Sequence, residues 1–332
     1  MSHSSSDKSA GHAVTGKVSD EVSDAVSGTS PDKASKDVSA NKHIDPQNHC
    51  QRFLFSDVDV RGEVVRLNGA YINTVSKHDY PPAVSLLMGE FLAAATLLGC
   101  TIKYDGRLVL QVRGKGELSL IMSECTSEGA IRGIARYQHP PQHSEFDALT
   151  GDGVLVITID SNRADPYQGI VSLEGGSLAA SLKNYFEQSE QLKTWFYFAV
   201  DNKQACGFML QQLPSGRQTD SEERANTWEH LLALGQTITA TELHSLSNED
   251  LLHRLYHQEK VELFTPREFY YQCSCSRERT ARALISIGKP EVDSIVAEHG
   301  AVMIGCEFCG TEYRFESDEV DSLLQDRGEH VH

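Results

Sequence analysis

Apolar and polar residues alternate in short runs from about residue 53 to residue 213, the period-2 pattern of half-buried strands. Two of these runs, 107–113 (RLVLQVR) and 117–123 (ELSLIMS), are joined by Gly114, Lys115 and Gly116 and predict a β-hairpin. Further strands are expected at 131–137, 154–160, 167–173, 194–200 and 207–213. The segment 84–98 breaks the pattern. It follows Pro81 and Pro82, is rich in Leu and Ala, has a broad apolar face, and reads as a buried helix stopped by Gly99. A second helix is expected over 177–189. Strands in hairpin order with few helices predict an α+β domain, mainly antiparallel, ending near the LPSG turn at 213–216.

Beyond that turn the periodicity becomes helical. Residues 220–237 carry Trp228, Leu231, Leu232 and Leu234, and Thr239 with Glu242 and Ser247 with Asp250 have the spacing of helix N-terminal caps. None of these amphipathic stretches is long enough to hold by itself, so the region must dock on a neighbour. From about residue 266 the chain is poor in large apolar side chains. A module of about 65 residues with so little core needs a staple.

Composition changes the picture at the N-terminus. Residues 1–44 are Ser, Asp, Lys, Ala and Val without an aromatic residue, too polar to offset the cost of ordering, and are expected to be a disordered tail. The series Val14, Val18, Val22, Val26 is a weak helical stripe that does not alter this reading. The expected division is therefore a tail over 1–44, an α+β core over 45–218, a helical linker over 219–266 and a cysteine module over 267–332. Lys plus Arg number 30 against 47 for Asp plus Glu, a formal charge of -17 that repels nucleic-acid phosphates. The longest apolar run, 91–98, is short of the roughly 20 residues a membrane span needs, and the first residues lack the apolar core of an export signal. Neither nucleic acid nor membrane is expected as a partner, and the cytoplasm is the expected location.

Eight cysteines sharpen the chemistry. Cys50, Cys100, Cys125 and Cys206 stand singly and read as small buried side chains, while Cys273, Cys275, Cys306 and Cys309 crowd the C-terminal module. In a reducing compartment such close pairs are metal ligands or redox groups. A C-x-x-C followed by Gly310 is an ordinary zinc knuckle; the C-x-C pair crowds its sulfurs, so it can hold metal when reduced and a strained, reactive disulfide when oxidised. Four sulfur ligands leave no open position for a catalytic water. A permanent structural staple and a redox switch both stay open from spacing alone. The switch is credible in magnitude: zinc contributes about 10–16 kcal/mol in zinc-finger peptides, comparable to the roughly 5–15 kcal/mol stability of a whole domain. Other constellations carry less. His253 and His257 lack the glutamate of H-E-x-x-H, the EGGS turn at 174–177 lacks the lysine of a P-loop, and no nucleophile–base pair is recognisable. No enzymatic activity is expected.

The strings CSCSRER at 273–279, CEFCG at 306–310 and YRF at 313–315, with HDYP at 78–81, YDGR at 104–107, RGIAR at 132–136, YQGIVSLEG at 167–175 and SEQL at 189–192, closely resemble the redox-regulated 33 kDa heat-shock chaperone family of bacteria. The resemblance runs over residues 53–324. It implies a layered β/α/β N-terminal domain and an ATP-independent holdase, idle while Cys273, Cys275, Cys306 and Cys309 bind one zinc ion. Oxidation, especially with heat, would then form the disulfides Cys273–Cys275 and Cys306–Cys309, release zinc and unfold the module. The linker would become flexible, capture unfolding client proteins and accompany formation of a homodimer. Leu231, Leu251, Leu252 and Leu255 are the candidate client contacts, although the same leucines could simply pack on the folded module. A reading from another class is a constitutive, zinc-stapled adaptor that binds one specific protein through the linker. The resemblance does not reach the N-terminal tail.

Overall fold

The structure is a computed structural model that describes residues 47–161, 165–287 and 289–319. The expected N-terminal tail, with its valine stripe, lies outside the described residues. The described chain opens with a hairpin, β1 (His49–Phe55) and β2 (Val60–Leu67), then α1 (Gly69–Val75) and α2 (Pro82–Thr101). Next come β3 (Gly106–Arg113), β4 (Leu118–Thr126), β5 (Ala130–Tyr137), the short α3 (Phe146–Thr150), β6 (Val154–Ser161) and β7 (Tyr167–Ser172). Helix α4 (Leu178–Tyr185) ends in a π turn over Phe186–Glu190 and is followed by the hairpin β8 (Thr194–Val200) and β9 (Ala205–Gln212).

The 107–123 hairpin forms in the expected place, with Val112 opposite Ile121. It lies in a sheet of order β5-β4-β3-β6-β7, antiparallel throughout, and a second sheet of order β1-β2-β9-β8 faces it. Helix α2 fills the space between them. Apolar on nearly every side, it buries Phe91, Leu92, Leu97 and Leu98 completely, as a helix enclosed by layers must. By length and hydropathy it could cross a membrane, but most of it is buried inside the protein, where it serves as the core helix of a β/α/β sandwich. Gly99 does not stop it. A Cβ there would come within 2.7 Å of Cys125 Sγ, so the glycine lets β4 approach, and the helix runs on to Thr101.

Three helices follow: α5 (Ser221–Gly235), α6 (Ala240–Ser245) and α7 (Asn248–Tyr256). Two of their caps are those expected, Thr239 and Glu242 forming a reciprocal capping box and Ser247 receiving the Asp250 N–H, and Asp220 adds a third by receiving the Glu223 N–H. They lie on the outer face of the β1-β2-β9-β8 sheet, where Trp228, Leu231, Leu243, Leu251 and Leu255 pack with Phe53, Phe55, Val64 and Phe208. This is why β9 is buried along almost its whole length: both of its faces are covered. Arg66 of β2 pins the joint between α6 and α7, donating to the Leu246 carbonyl at 2.7 Å, to Asn248 Oδ1 at 2.9 Å and to the Leu243 carbonyl. Asp59, buried in the β1–β2 turn, accepts the N–H groups of Gly216, Arg217 and Gln218 and pairs with Arg224 at 2.9 Å, fixing the chain where it enters α5.

After α7 the chain becomes a strap across both sheets. β10 (Val261–Leu263) and β11 (Arg267–Glu268) add to β1, and β12 (Tyr270–Tyr271) adds in parallel to β5. Arg267 ties the strap down, donating to the Gly99 carbonyl at 3.1 Å and the Ser127 carbonyl at 2.7 Å. The C-terminal module consists of α8 (Arg277–Ile287), α9 (Lys289–His299) and the hairpin β13 (Ala301–Gly305) and β14 (Glu312–Glu316). Its own apolar cluster is small, built on Ala281, Leu284, Val292, Val302 and Phe315, in keeping with a module that needs a staple.

Candidate metal centre

Two turns create the centre. β12 ends at the Cys273-Ser-Cys275 stretch, and the β13–β14 connection folds so that the Cys309 and Gly310 N–H groups point at the Cys306 carbonyl, at 3.3 and 2.7 Å. Gly310 takes φ +70°, a left-handed conformation that a glycine adopts without strain. The four sulfurs of Cys273, Cys275, Cys306 and Cys309 lie within 4.8 Å of one another. Cys273 Sγ is 3.6 Å from Cys306 Sγ, and Cys275 Sγ is 3.4 Å from Cys309 Sγ. These separations exclude disulfides, whose sulfurs are about 2.05 Å apart. They approach the S···S edge of about 3.8 Å that a tetrahedral ion with roughly 2.3 Å bonds to sulfur requires. The donor set, four convergent half-buried thiols joining two segments about thirty residues apart, fits a metal ion of the zinc kind.

The surroundings favour thiolates on one side and resist them on the other. Desolvation raises Cys273, Cys275 and Cys306 above the ordinary thiol range. Desolvation also acts on Cys309, but hydrogen bonding with the Thr311 hydroxyl, 3.2 Å away, and with the Thr311 backbone holds its thiol down at about 7. The Tyr313 hydroxyl donates to Cys275 Sγ at 3.1 Å. Arg132 of β5 brings a positive charge: its Nη1 is 3.6 Å from Cys273 Sγ, its guanidinium lies 3.9 Å from the centre of the Phe308 ring, and Glu124 holds it at 2.6 Å. The buried Tyr271 hydroxyl, close to the cysteines, has no hydrogen-bond partner among the described residues.

Two of the scattered strings that carry the family resemblance, HDYP at 78–81 and RGIAR at 132–136, meet the C-x-x-C turn here. The His78 ring N–H donates to the Phe308 carbonyl at 3.3 Å and stacks on Tyr80, whose hydroxyl receives the Ala135 N–H at 2.9 Å. Arg136 pairs with Glu307 between the β5 strand and the C-x-x-C turn. The supporting residues Arg132, His78 and Tyr313 carry no metal-ligand signature of their own and could be found from sequence only as members of the strings that carry the resemblance, and Thr311 lies in none of them.

The expected client contacts lie elsewhere. Leu231, Leu251, Leu252 and Leu255 are 1%, 0%, 4% and 3% exposed and pack on the β1-β2-β9-β8 sheet, not on the cysteine module. The alternative that these leucines pack on the folded module is corrected accordingly: they pack on the sheet, and the strap of β10 to β12 leads from the linker to the module. His253 on α7 and His257 just past its end are exposed, with ring centres 6.1 Å apart. The EGGS turn is a strand-to-helix connection in which the Ser177 hydroxyl caps the Ala180 N–H. Cys50, Cys125 and Cys206 are buried as expected and their thiols are pushed up by desolvation, whereas Cys100 is only partly buried.

With this geometry in place, comparison with known proteins is specific. The Hsp33 protein family model matches residues 48–316. The 33 kDa chaperonin of Ectopseudomonas mendocina is 49% identical over 281 residues, spanning 84% of this chain and 95% of the relative, and that of Azotobacter vinelandii is 49% identical over 282 residues with the same coverage. The crystal structure of the 33 kDa chaperonin from Thermotoga maritima superposes with a TM-score of 0.72 at 26% identity, covering 85% of this chain and 99% of that one. The chain belongs to the Hsp33 family. Its relatives are named as chaperonins, and no enzyme is among those names.

Proposed function

We propose that this protein is a redox-regulated, ATP-independent holdase chaperone of the cytoplasm. One Zn2+ per chain, held by Cys273, Cys275, Cys306 and Cys309, keeps it idle. The observation that carries this reading is the joining of two features: four convergent thiols, and an apolar linker face stored on a sheet, with one short strap between them.

Oxidation by hydrogen peroxide would form Cys273–Cys275 and Cys306–Cys309, each bond taking two electrons from a pair of zinc-bound thiolates, with two protons drawn from solvent, and reducing one peroxide to two waters. A disulfide sulfur is no longer an anionic ligand, so the ion is lost with the thiolates. Two short loops cannot replace a link across about thirty residues, and the small cluster around Leu284 and Phe315 is too little to hold the module by itself. The strap would then lose its anchor at Cys273 and the linker its anchor at the strap. Freed linker leucines, Leu231, Leu251, Leu252 and Leu255, would bind unfolding client proteins and support a homodimer of the oxidised form. The formal charge of -17 keeps such a surface in solution and away from nucleic acid.

The test is peroxide treatment at raised temperature. One zinc ion per chain should be released, two disulfides should form, and the protein should begin to suppress light scattering by a thermally unfolding client. Zinc release without any gain in suppression would favour the constitutive adaptor and overturn the holdase reading.

A further inference from the structure

We propose that Cys50, Glu63 and Cys100 form a second cation site, for a zinc-like divalent ion, inside the N-terminal sandwich. The Cys50 and Cys100 sulfurs and a Glu63 carboxylate oxygen lie within 4.8 Å of one another. Cys50 Sγ is 3.8 Å from Glu63 Oε2, close to the S···O edge of about 3.6 Å expected for tetrahedral zinc with sulfur and carboxylate ligands. Cys50 and Glu63 are 2% and 0% exposed, while Cys100 is only partly buried and gives the site a route to solvent.

The carboxylate is already oriented. Arg52 Nε donates to Glu63 Oε1 at 3.1 Å, the outer-shell pattern that fixes a ligating carboxylate, and the Thr101 hydroxyl, which shares its one proton with the Leu97 carbonyl at 2.8 Å, lies 3.1 Å from Oε2. The local field also favours cations. Cys100 is in the last turn of α2, the negative end of the helix, whose Gly99 and Cys100 carbonyls already draw the guanidinium groups of Arg267 and Arg52. Cationic side chains already face the carboxylate: burial raises the Glu63 carboxyl, and Arg52 and Arg61 oppose that rise, while burial pushes the Cys50 thiol up. On binding a divalent ion both thiols release their protons to solvent, and two thiolates and a carboxylate are matched by the ion and Arg52. No electron moves.

The site sits where the strap is tied down, since Cys50 pairs with Arg267 across β1 and β11. A bound ion would staple β1 to the end of α2 at this point. It does not depend on the holdase reading, and its test separates the two. Full-length reduced protein is saturated with Zn2+, desalted and counted for metal. The wild type should hold two ions per chain, Cys100→Ala and Cys309→Ser should each lose one, and the double variant should lose both. Zinc should also slow maleimide alkylation of wild-type Cys100, read by peptide mass, by tenfold or more, which keeps the test decisive where a variant fails to fold. A wild-type count of one that Cys100→Ala leaves unchanged, Cys100 alkylation indifferent to zinc, or recovery of a Cys50–Cys100 disulfide in place of the ion overturns the proposal.

Discussion

Leu251→Ala isolates the linker from the cysteines. Leu251 is fully buried between α7 and the β1-β2-β9-β8 sheet, in a cluster that contains no residue of the C-terminal module. Truncating a leucine in such a place costs about 2–5 kcal/mol, the lost transfer energy plus the cavity left behind. If α5 to α7 open as a unit, this loss falls on the local opening equilibrium, which rises at least about 30-fold at roughly 1.4 kcal/mol per decade. Trypsin reads that equilibrium when reclosing outpaces cleavage, and Arg224 and Arg254 lie in the segment that opens. Reduced, zinc-loaded Leu251→Ala should therefore be cut in the linker about 30 times faster or more than wild type. Its zinc content and the melting of the sandwich should stay close to those of the wild type. A linker cleavage rate within threefold of wild type would refute docking as the force that holds this segment, and cleavage spreading equally into α2 and β9 would refute its independence.

Three further outcomes follow from single side chains. Cys306→Ser should lower zinc affinity and raise linker protease sensitivity without oxidant; an unchanged digestion pattern would break the coupling of metal to linker. Burial of Glu90 on α2 pushes its carboxyl from the ordinary 4.5 to about 7. Stability is thus full below about pH 4.5 and falls by about 3 kcal/mol as the pH rises through 7. Glu90→Gln should raise the Tm at pH 8 and leave it unchanged at pH 4.5, and an equal shift at both values would contradict this. Asp59 feels desolvation, but the Gly216, Gln218 and Arg217 N–H groups and Arg224 outweigh it and hold its carboxyl below the usual range. Its contribution is present above the unfolded pKa and lost as the pH falls through the folded one. Asp59→Asn should cost about 2–4 kcal/mol at pH 7 in urea denaturation, and less in acid.

What was legible in the sequence follows from how local each signal is. The 107–123 hairpin shows because alternation and a glycine turn sit in one short window, and the caps Thr239 and Ser247 show because they contact residues three positions on. The strands β10 to β12 are two or three residues long, with no period to detect, and exist only because β1 and β5 offer free edges. Gly99 misleads because the reason for it, Cys125, is 26 positions away on another element. The linker helices reveal that they need a partner, but not which one. Their ridge of Trp228, Leu231 and Leu251 would suit any apolar face, and only the sheet register turns Phe53, Val64 and Phe208 toward it. At the metal centre the ligands are legible because thiol chemistry is rare and closely spaced. Arg132, about 140 positions upstream, is not.

The central claim is that the cysteine centre governs release of the linker. Amide hydrogen exchange, followed by mass in the reduced zinc protein and in the peroxide-oxidised protein, tests it most directly. The account predicts that α5 to α7, β10 to β12 and the C-terminal module lose protection on oxidation, while α2 and the central strands β2, β4 and β9 keep theirs. Linker protection that persists after the zinc is gone would contradict it.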